Sequence, residues 1–539
     1  MVAALAARDA GLAPLVLEKR ELLGGSTAMS GGVVWVPNNP LMVAEGVPDS
    51  EEDGLTYFDE VVGDIGSVSS EEKRRAYIVE GGAMLGFLAD QGIRLIRCEG
   101  YSDYYPHVPG GVARGRSVEP VPFDAKALGA WRDKIQRGLA NEIGLALTTN
   151  ELRAVPQYNR SLRYFGIAVR VWTRTMVSRL RRQDLLTNGS ALIARLAKAA
   201  LDRGIPLWLS AGVDDLVVEN GRVVGVLATK DGRQQRIQAC HGVLLSAGGF
   251  AHNAEMRRKY GGDQPNEGKW TWANPGDTGE ALAAAMRLEA KTDLLDEAWW
   301  IPTPIAPELS RSTLSVARQR PGTIMVDAAG QRFCNESNSY VEVGKAMYAR
   351  DKHAHAVPSW LIFDDGYRRR YAAAKTLPGR LPAEWLDKGV VRRNPTLDGL
   401  AREIGVDPDG LVATVERFNR YAKDGTDPDF GRGQNAYNHA LGDPGYKPNP
   451  AVGPLDRAPY YAVEIYPADV GTCGGLVTDV YSQVMGEDDQ PIPGLYAAGN
   501  ITATVMGRTY PGAGASIGNS MTFGYIAARH AARSARVPA

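Results

Sequence analysis

The stretch GRTYPGAGASIG at 507–518 brings together residue types that can hold a developing negative charge. Tyr510 is followed by Pro511 and then by two glycines, so its phenol sits on a stiff turn where its O–H and a neighbouring backbone N–H can converge on one oxygen. Such a donor pair stabilises an enolate as charge builds on a carbonyl oxygen, the logic of an oxyanion hole. Most of the 22 tyrosines must be structural. Tyr510 is set apart by its turn.

A second chemistry is written in ordered glycine clusters. Near the start, VLEKRELLGGSTAMSGG places Glu18 at the carboxyl end of a short apolar strand, where an acidic residue accepts hydrogen bonds from ribose hydroxyls. The loop after it offers backbone N–H groups at Gly24, Gly25, Gly31 and Gly32 and the hydroxyls of Ser26, Thr27 and Ser30, suited to a pyrophosphate and to the edge of a flavin ring. LLSAGGF, with Ala247, Gly248 and Gly249, and LYAAGN, with Gly499 and Asn500, follow in the same order along the chain.

The elements that must carry these groups read as α/β. Residues 1–10 form an Ala-rich helix and 13–18 a strand, and ALIARLAKAALDRG is a helix followed by the strand PLWLS. The NG and DG dipeptides between β-branched runs in 212–238 predict an antiparallel insert, which leads into the buried strand GVLLSAGG. Toward the end, GGLVTDV and IPGLYAAGN are strands, and the glycine loop opens a long helix after Gly518 whose positive dipole end would favour an anionic group. The fold class is therefore a Rossmann-like nucleotide-binding domain with an antiparallel β insert, interrupted by an α+β capping domain. The boundaries are 1–300, 301–471 and 472–539.

A chain of 539 residues is long enough for two or three domains. With 61 basic against 62 acidic residues and no basic block evident, nothing points to a nucleic-acid partner. Apolar runs are far shorter than the ~20 residues of a membrane helix, and no signal peptide is evident, so no integral membrane segment and a cytoplasmic setting are expected. Four scattered cysteines lack C-x-x-C spacing, and the close pair His353 and His355 reads as a solvated turn, so no metal site is predicted.

Taken together, VLEK, GGSTAMSGG, LLSAGGF and LYAAGN resemble the FAD-dependent fumarate reductase and succinate dehydrogenase flavoproteins over essentially the whole chain. GYSDYYPHVPGG, QRFCNESNSYVEVGKAM and GRTYPGAGASIG resemble one branch, the 3-oxosteroid 1-dehydrogenases, whose active sites use a trio of tyrosines. The resemblance implies FAD, held by the positions above together with Lys19, Ala515, Ser516 and Ile517. It implies that Tyr510 O–H and Gly514 N–H hold the substrate ketone, that Tyr340 takes the proton alpha to it, and that Tyr104 helps Tyr340 by handing that proton on. Removing hydrogens from adjacent carbons beside a ketone also needs a hydride acceptor, which flavin supplies. A phenol with an ordinary pKa of about 10 needs neighbours that favour its phenolate if it is to act as a base. The implied partners are an apolar ketone and an external electron acceptor, with the oligomeric state open and a monomer among the possibilities.

Two other readings compete. A fumarate-type ene reductase would use Arg508 as a carboxylate clamp, although DVGTCGGLVTD offers no histidine beside it. A non-catalytic flavoprotein remnant is suggested by the N-terminus, because in the resembling family a strand and a G-x-G-x-x-G turn, roughly 15 to 20 residues, precede the first helix. The expectation is that the native protein starts upstream of Met1, and that the chain as written binds FAD poorly. The aromatic run EAWWIPTP, with Trp299, Trp300, Pro302 and Pro304, together with Met347 and Tyr348, reads equally as the wall of an apolar substrate cleft and as plain packing.

Overall fold

Two tight turns set the register of the antiparallel insert. Asn220 and Gly221 have φ of 50° and 73°, and Asp231 and Gly232 have 50° and 75°, the left-handed pairs that match the twist of the strands they join. Glu219 accordingly pairs with Arg222, and Lys230 with Arg233. In the computed structural model, which describes residues 1–138, 144–262, 264, 267–306, 317–371, 376 and 378–535, the chain divides into two compact units. The first is Met1–Asn150, Val171–Ala298 and Gly471–Ala539, and the second is Glu151–Arg170 and Trp299–Val470.

The first unit begins with α1 (Val2–Asp9), whose Val2, Leu5 and Ala6 are buried. β1 (Val16–Leu17) pairs in parallel with Leu207–Trp208, and Glu18 follows it directly. The glycine-rich stretch read as a loop is partly helical: α2 (Gly25–Met29) starts behind Gly24. β2 (Val34–Trp35), β3 (Leu95–Arg97) and β4 (Ser117–Pro120) form an antiparallel sheet with β4 central. α3 (Leu162–Leu180) carries the chain from the short segment of the second unit back into the first. α4 (Asn188–Asp202) precedes β5 (Leu207–Trp208), and the insert is β6 (Ala211–Glu219), β7 (Arg222–Lys230) and β8 (Arg233–Gln238). β9 (Val243–Leu245) closes this part.

The second unit holds β10 (Ala298–Thr303), β11 (Thr323–Val326), α5 (Tyr340–Asp351), β12 (Ser359–Asp364) and β13 (Tyr460–Thr472). Its sheet runs in the order β10-β13-β12-β11. Alternation along β11 puts Ile324 and Val326 in one apolar cluster, with Leu400 and Phe418, and Met325 in another, with Met347 and Trp385, so both faces are covered. The EAWWIPTP run is a buried strand: every residue of β10 is inside, and Trp300 packs edge-on against Tyr348 at 5.1 Å.

The chain then returns to the first unit with β14 (Gln483–Met485), β15 (Pro491–Ala497) and α6 (Ala515–Ser534). β9 pairs in parallel with β15, Val243 opposite Leu495, and β14 lies antiparallel on the other side. α1, α4 and α6 share one core through Leu5, Leu192, Leu196, Ile517 and Tyr525.

Ahead of Tyr340 lies a buried ionic cluster. Both Glu336 oxygens accept Arg332, at 2.7 Å each, and Oε2 also accepts Arg432 at 3.2 Å. Arg332 donates in turn to both oxygens of Asp427, at 3.0 and 2.8 Å. Although burial opposes it, these guanidiniums pull the Glu336 carboxyl down to about 2. Its unfolded value is near 4.3, so its stabilisation is complete above that value and is lost as pH falls toward the folded one. Glu336→Gln, which leaves two buried cations short of a partner, is expected to cost about 3–5 kcal/mol at neutral pH. Unfolding midpoints measured between about pH 6 and about pH 3 should fall less steeply in the variant than in the parent.

Candidate active site

The Tyr510 turn is held from several sides. The Pro511 carbonyl accepts the Tyr57 hydroxyl at 2.7 Å and the Tyr104 N–H at 2.9 Å, and the Ala513 carbonyl accepts Ser117 Oγ at 2.8 Å. The Gly514 carbonyl accepts the Trp35 N–H at 3.2 Å. A Cβ on residue 512 would lie 2.2 Å from the Trp35 indole, which is why glycine stands there. The Tyr104 and Tyr510 rings lie 5.6 Å apart at 34°, and both are 4% exposed. Tyr104 is therefore packed on Tyr510.

Gly514, at φ 94°, is the N-cap of α6, and a Cβ there would meet the Val33 carbonyl at 2.2 Å. The helix consequently starts at Ala515 rather than after Gly518. Gly518 does not break it, because its N–H bonds the Gly514 carbonyl at 2.8 Å. Ala515, Ser516 and Ile517 are thus its first turn, and that turn holds no acidic side chain to offset the positive end of a 20-residue helix. The Tyr510 hydroxyl reaches this turn, 3.1 Å from Ser516 Oγ. The Gly514 N–H has no protein acceptor among the described residues.

Behind the turn is a buried polar group that sequence reading passed over. Asp103 Oδ1 accepts the Trp35 indole N–H at 2.8 Å, and Oδ2 accepts Val112 N at 3.0 Å and Arg116 Nη1 at 3.1 Å. Arg116 also pairs with Asp49 at 2.6 Å. Burial pushes the Asp103 carboxyl up to about 6, against the pull of Arg116 and the two N–H donors. The partners are 68 and 13 residues away from Asp103 in sequence, so no spacing pattern announces them. An acidic residue inside the apolar and aromatic YSDYYP stretch was the only local signal.

Tyr340 belongs to the second unit and is the first residue of α5. The turn before it is fixed by Asn335, whose Oδ1 accepts Ser337 N at 2.9 Å, and by Asn438, whose Nδ2 donates to the Ser337 carbonyl at 3.1 Å. Tyr340 is half-buried.

The glycine clusters meet around Asp277 in the first unit. Ser26 Oγ donates to Asp277 Oδ2 at 2.8 Å and accepts Asn274 N at 2.8 Å, while Gly248 packs directly on Asp277. Gly249 abuts Thr472 and the Asn500 carbonyl, and Gly499 abuts Ser520 of α6. Ser30 Oγ donates to the Thr27 carbonyl at 2.8 Å and accepts Gly32 N at 3.0 Å. Gly24 caps α2, which starts at Gly25; the Gly31 carbonyl accepts Thr149 Oγ1 at 2.7 Å, and Gly32 lies against the Gly189 backbone. Ala247 is exposed beside this junction. Glu18 is half-buried, with Oε1 accepting Arg20 N at 2.9 Å, and burial raises its pKa against the amides and charges of Arg20 and Lys19. A cavity of about 360 Å³ opens beside it, lined by Lys19, Arg20, Glu21, Leu22 and Ser210. The Lys19 ammonium is committed to Glu280 at 2.9 Å, which leaves its backbone rather than its charge for a ligand. Arg508 is committed as well, to Asp296 and Glu297 at 2.8 and 2.7 Å, so the carboxylate clamp of the fumarate reading is already occupied by protein carboxylates.

Residues 1–517 match the family model described as FAD binding domain. The chain is 41% identical to the 3-oxosteroid 1-dehydrogenase of Mycobacterium tuberculosis, over 99% of this chain and 96% of that one. The chain belongs to this FAD-binding family. It is also 34% identical to a 4-oxocyclohexanecarboxylate 2-dehydrogenase of Sinomonas cyclohexanicum, over 98% of this chain and 90% of that one. Among solved structures, the 3-ketosteroid Δ1-dehydrogenase of Sterolibacterium denitrificans in complex with 1,4-androstadiene-3,17-dione superposes with a TM-score of 0.91, at 37% identity, over 99% of this chain and 97% of that one.

The family's cofactor fits these residues on physical grounds. A half-buried carboxylate at the end of β1 suits ribose hydroxyls, glycines at the Asp277 junction bring backbone within reach of a ligand, and α6 presents an uncompensated positive terminus. No helix among the described residues is long and apolar enough to cross a membrane. Gly514→Ala combines a left-handed φ with a 2.2 Å collision. It is expected to cost about 1–3 kcal/mol, seen as a lower melting temperature and a smaller fraction of bound flavin.

Proposed function

We propose that the chain is an FAD-dependent 3-oxosteroid 1-dehydrogenase, removing a proton from C2 and a hydride from C1 of a 3-oxosteroid to leave a C1–C2 double bond. The observation that carries this reading is the clamped Tyr510 turn, with its hydroxyl at the first turn of α6 and the Gly514 N–H beside it. Two donors on a fixed backbone can polarise the ketone and stabilise the enolate without reorganising as charge develops. Tyr510 and Gly514 take that role. Tyr340, at the head of α5, is assigned the base for the C2 proton, and Tyr104 is assigned to carry that proton onward. The deprotonated phenol is the active form of such a base, so turnover should rise with pH on the acid side of its titration.

FAD when bound supplies the hydride acceptor. Glu18 and the backbone of Lys19 hold its ribose, Gly24–Gly32 its pyrophosphate, and Ala247–Gly249, Gly499, Asn500 and Ala515–Ile517 the remainder. We read the first unit, rather than all of 1–300 with 472–539, as the Rossmann-like FAD domain with its antiparallel insert, and the second, which adds Glu151–Arg170 to the expected 301–471, as the α+β capping domain. An external electron acceptor completes the cycle, a monomer suffices for these roles, and the setting is cytoplasmic. The commitment of Arg508 to Asp296 and Glu297 disfavours a dicarboxylate substrate.

With 4-androstene-3,17-dione and an artificial electron acceptor, the FAD-reconstituted protein should form the 1,4-diene and leave fumarate unreduced. Tyr510→Phe and Tyr340→Phe should each lower kcat by at least ~100-fold with flavin content and melting temperature unchanged. Full activity in either variant removes that residue from the reaction. Failure to consume the ketosteroid, with flavin bound, removes the substrate assignment.

A further inference from the structure

Asp103 is tied to the Tyr510 turn by three separate routes. The Trp35 indole N–H that it accepts at 2.8 Å lies on the edge of the ring that faces Gly512, where a Cβ would stand 2.3 Å from Nε1. Arg116, which donates to it at 3.1 Å, lies 5.2 Å from the centre of the Tyr57 ring, and the Tyr57 hydroxyl donates to the Pro511 carbonyl at 2.7 Å. Its own peptide leads into Tyr104, whose N–H donates to the same carbonyl at 2.9 Å. A change at this carboxyl is therefore felt at residues 511 and 512, inside the turn.

Charge around Asp103 is out of balance. The side chains of Arg116, Asp49 and Asp103 are 0%, 1% and 0% exposed, so one guanidinium serves two carboxylates inside the fold. Asp49 has the stronger hold: it takes Arg116 Nε and Nη2 at 2.8 and 2.6 Å, and the N–H groups of Asn38 and Ser50 at 2.6 and 3.1 Å. Asp103 takes a single guanidinium nitrogen, Nη1, with the Trp35 and Val112 N–H groups. Where two like charges share one cation, a proton goes to the one with the weaker hold. Burial, and after it the charge of Asp49, push the Asp103 carboxyl up to about 6. Arg116, Asp49 and the Tyr57 phenol are the charged and titratable side chains packed around it.

An ionised acceptor binds N–H donors roughly twice as strongly as a neutral one, so the charge on Asp103 sets how firmly the indole and the guanidinium are drawn in behind the turn. We propose that the Asp103 carboxylate is a positioning residue for the ketone-activating pair, Tyr510 O–H and Gly514 N–H, and that its protonation slackens the turn and lowers activity from the acid side. The inference rests on the dehydrogenase reading and adds to it a second titration, apart from that of the Tyr340 phenol. The sign of the linkage supports a use for the charge. An aspartate ordinarily titrates near 3.9, so with the folded value raised, ionisation takes stability from the fold as pH rises from about 4 through about 6. An uncharged side chain would fill a packing role without that loss.

The test is the pH profile of kcat/KM for 4-androstene-3,17-dione, with an artificial electron acceptor, in the FAD-loaded parent, Asp103→Asn and Trp35→Phe. The parent should show a break near pH 6, below which kcat/KM falls, separate from the rise expected of the Tyr340 phenol. Asp103→Asn should lose that break and run about 10–100-fold below the parent at neutral pH. Trp35→Phe keeps the carboxylate and Arg116 but removes an N–H that favours the charged form, so its break should move to higher pH. Melting temperatures taken without steroid follow the same group: between about pH 4 and about pH 6 the parent should lose stability relative to Asp103→Asn. A parent profile with no break in this range, or the same break in Asp103→Asn, overturns the proposal. Should Asp103→Asn fail to fold, a Trp35→Phe break that stays where the parent has it overturns the proposal equally. A flavin-loaded parent inert toward the ketosteroid is the failure of the dehydrogenase reading, visible before any variant is made, and it takes the inference with it.

Discussion

Much of the first unit is arranged around one close approach, the Trp35 indole against the backbone of Gly512. At that separation a side chain at 512 is excluded, so the Tyr510 turn packs directly against the ring, and the Trp35 backbone N–H can reach the Gly514 carbonyl. The indole cannot slide away, because its own N–H is spent on Asp103, which Arg116 and Val112 hold in turn. The residue after Asp103 is Tyr104, and its N–H returns to the Pro511 carbonyl. Each link fixes the next, and Tyr104 and Tyr510 are both members of the ring of contacts. Donors proposed to stabilise a transition state must already be in place when charge appears, and this closed ring fixes the turn that carries Tyr510 and Gly514.

The second unit solves the analogous problem with charge. Arg332, Arg432, Glu336 and Asp427 are all buried, and taking four ionic groups out of water is expensive unless each is paired and hydrogen-bonded. The bidentate contacts of Arg332 meet that condition, and the Met325 N–H completes the coordination of Glu336. Such a cluster adds little net stability over an apolar substitute of the same shape. It specifies one conformation for the Asn335–Ser339 turn, from which α5 and Tyr340 emerge. Aromatic packing organises the Tyr510 turn and ion pairing organises the Tyr340 turn, and in both cases the phenol is set by groups it does not itself recruit.

What could be read from sequence follows from which constraints are local. The Asn220-Gly221 and Asp231-Gly232 turns were legible because φ above zero is demanded by two adjacent residues, and the glycine clusters because close backbone approach leaves only one residue type. The start of α6 was misplaced, since Gly514 and Gly518 look alike in sequence and only the left-handed φ of Gly514 distinguishes the cap from the interior. The fate of Arg508 was not legible either, because nothing in the sequence pairs it with Asp296 and Glu297, more than two hundred residues away. Asp103, Trp35 and Tyr57 went unremarked for the same reason. The Tyr510 turn is contiguous; the scaffold that makes it rigid is assembled from distant segments.

The arginine-rich helix α3 shows the complementary blind spot, in which the information was local and was averaged away. Balanced totals of acidic and basic residues conceal a stretch of more than thirty residues that contains only one sign of charge. Periodicity would have separated its two faces, but apolar positions at helical spacing are ordinarily taken as core, and here the core-facing positions are instead small or polar, such as Thr175 and Ser178. Only solvent exposure tells which of two amphipathic faces is turned outward.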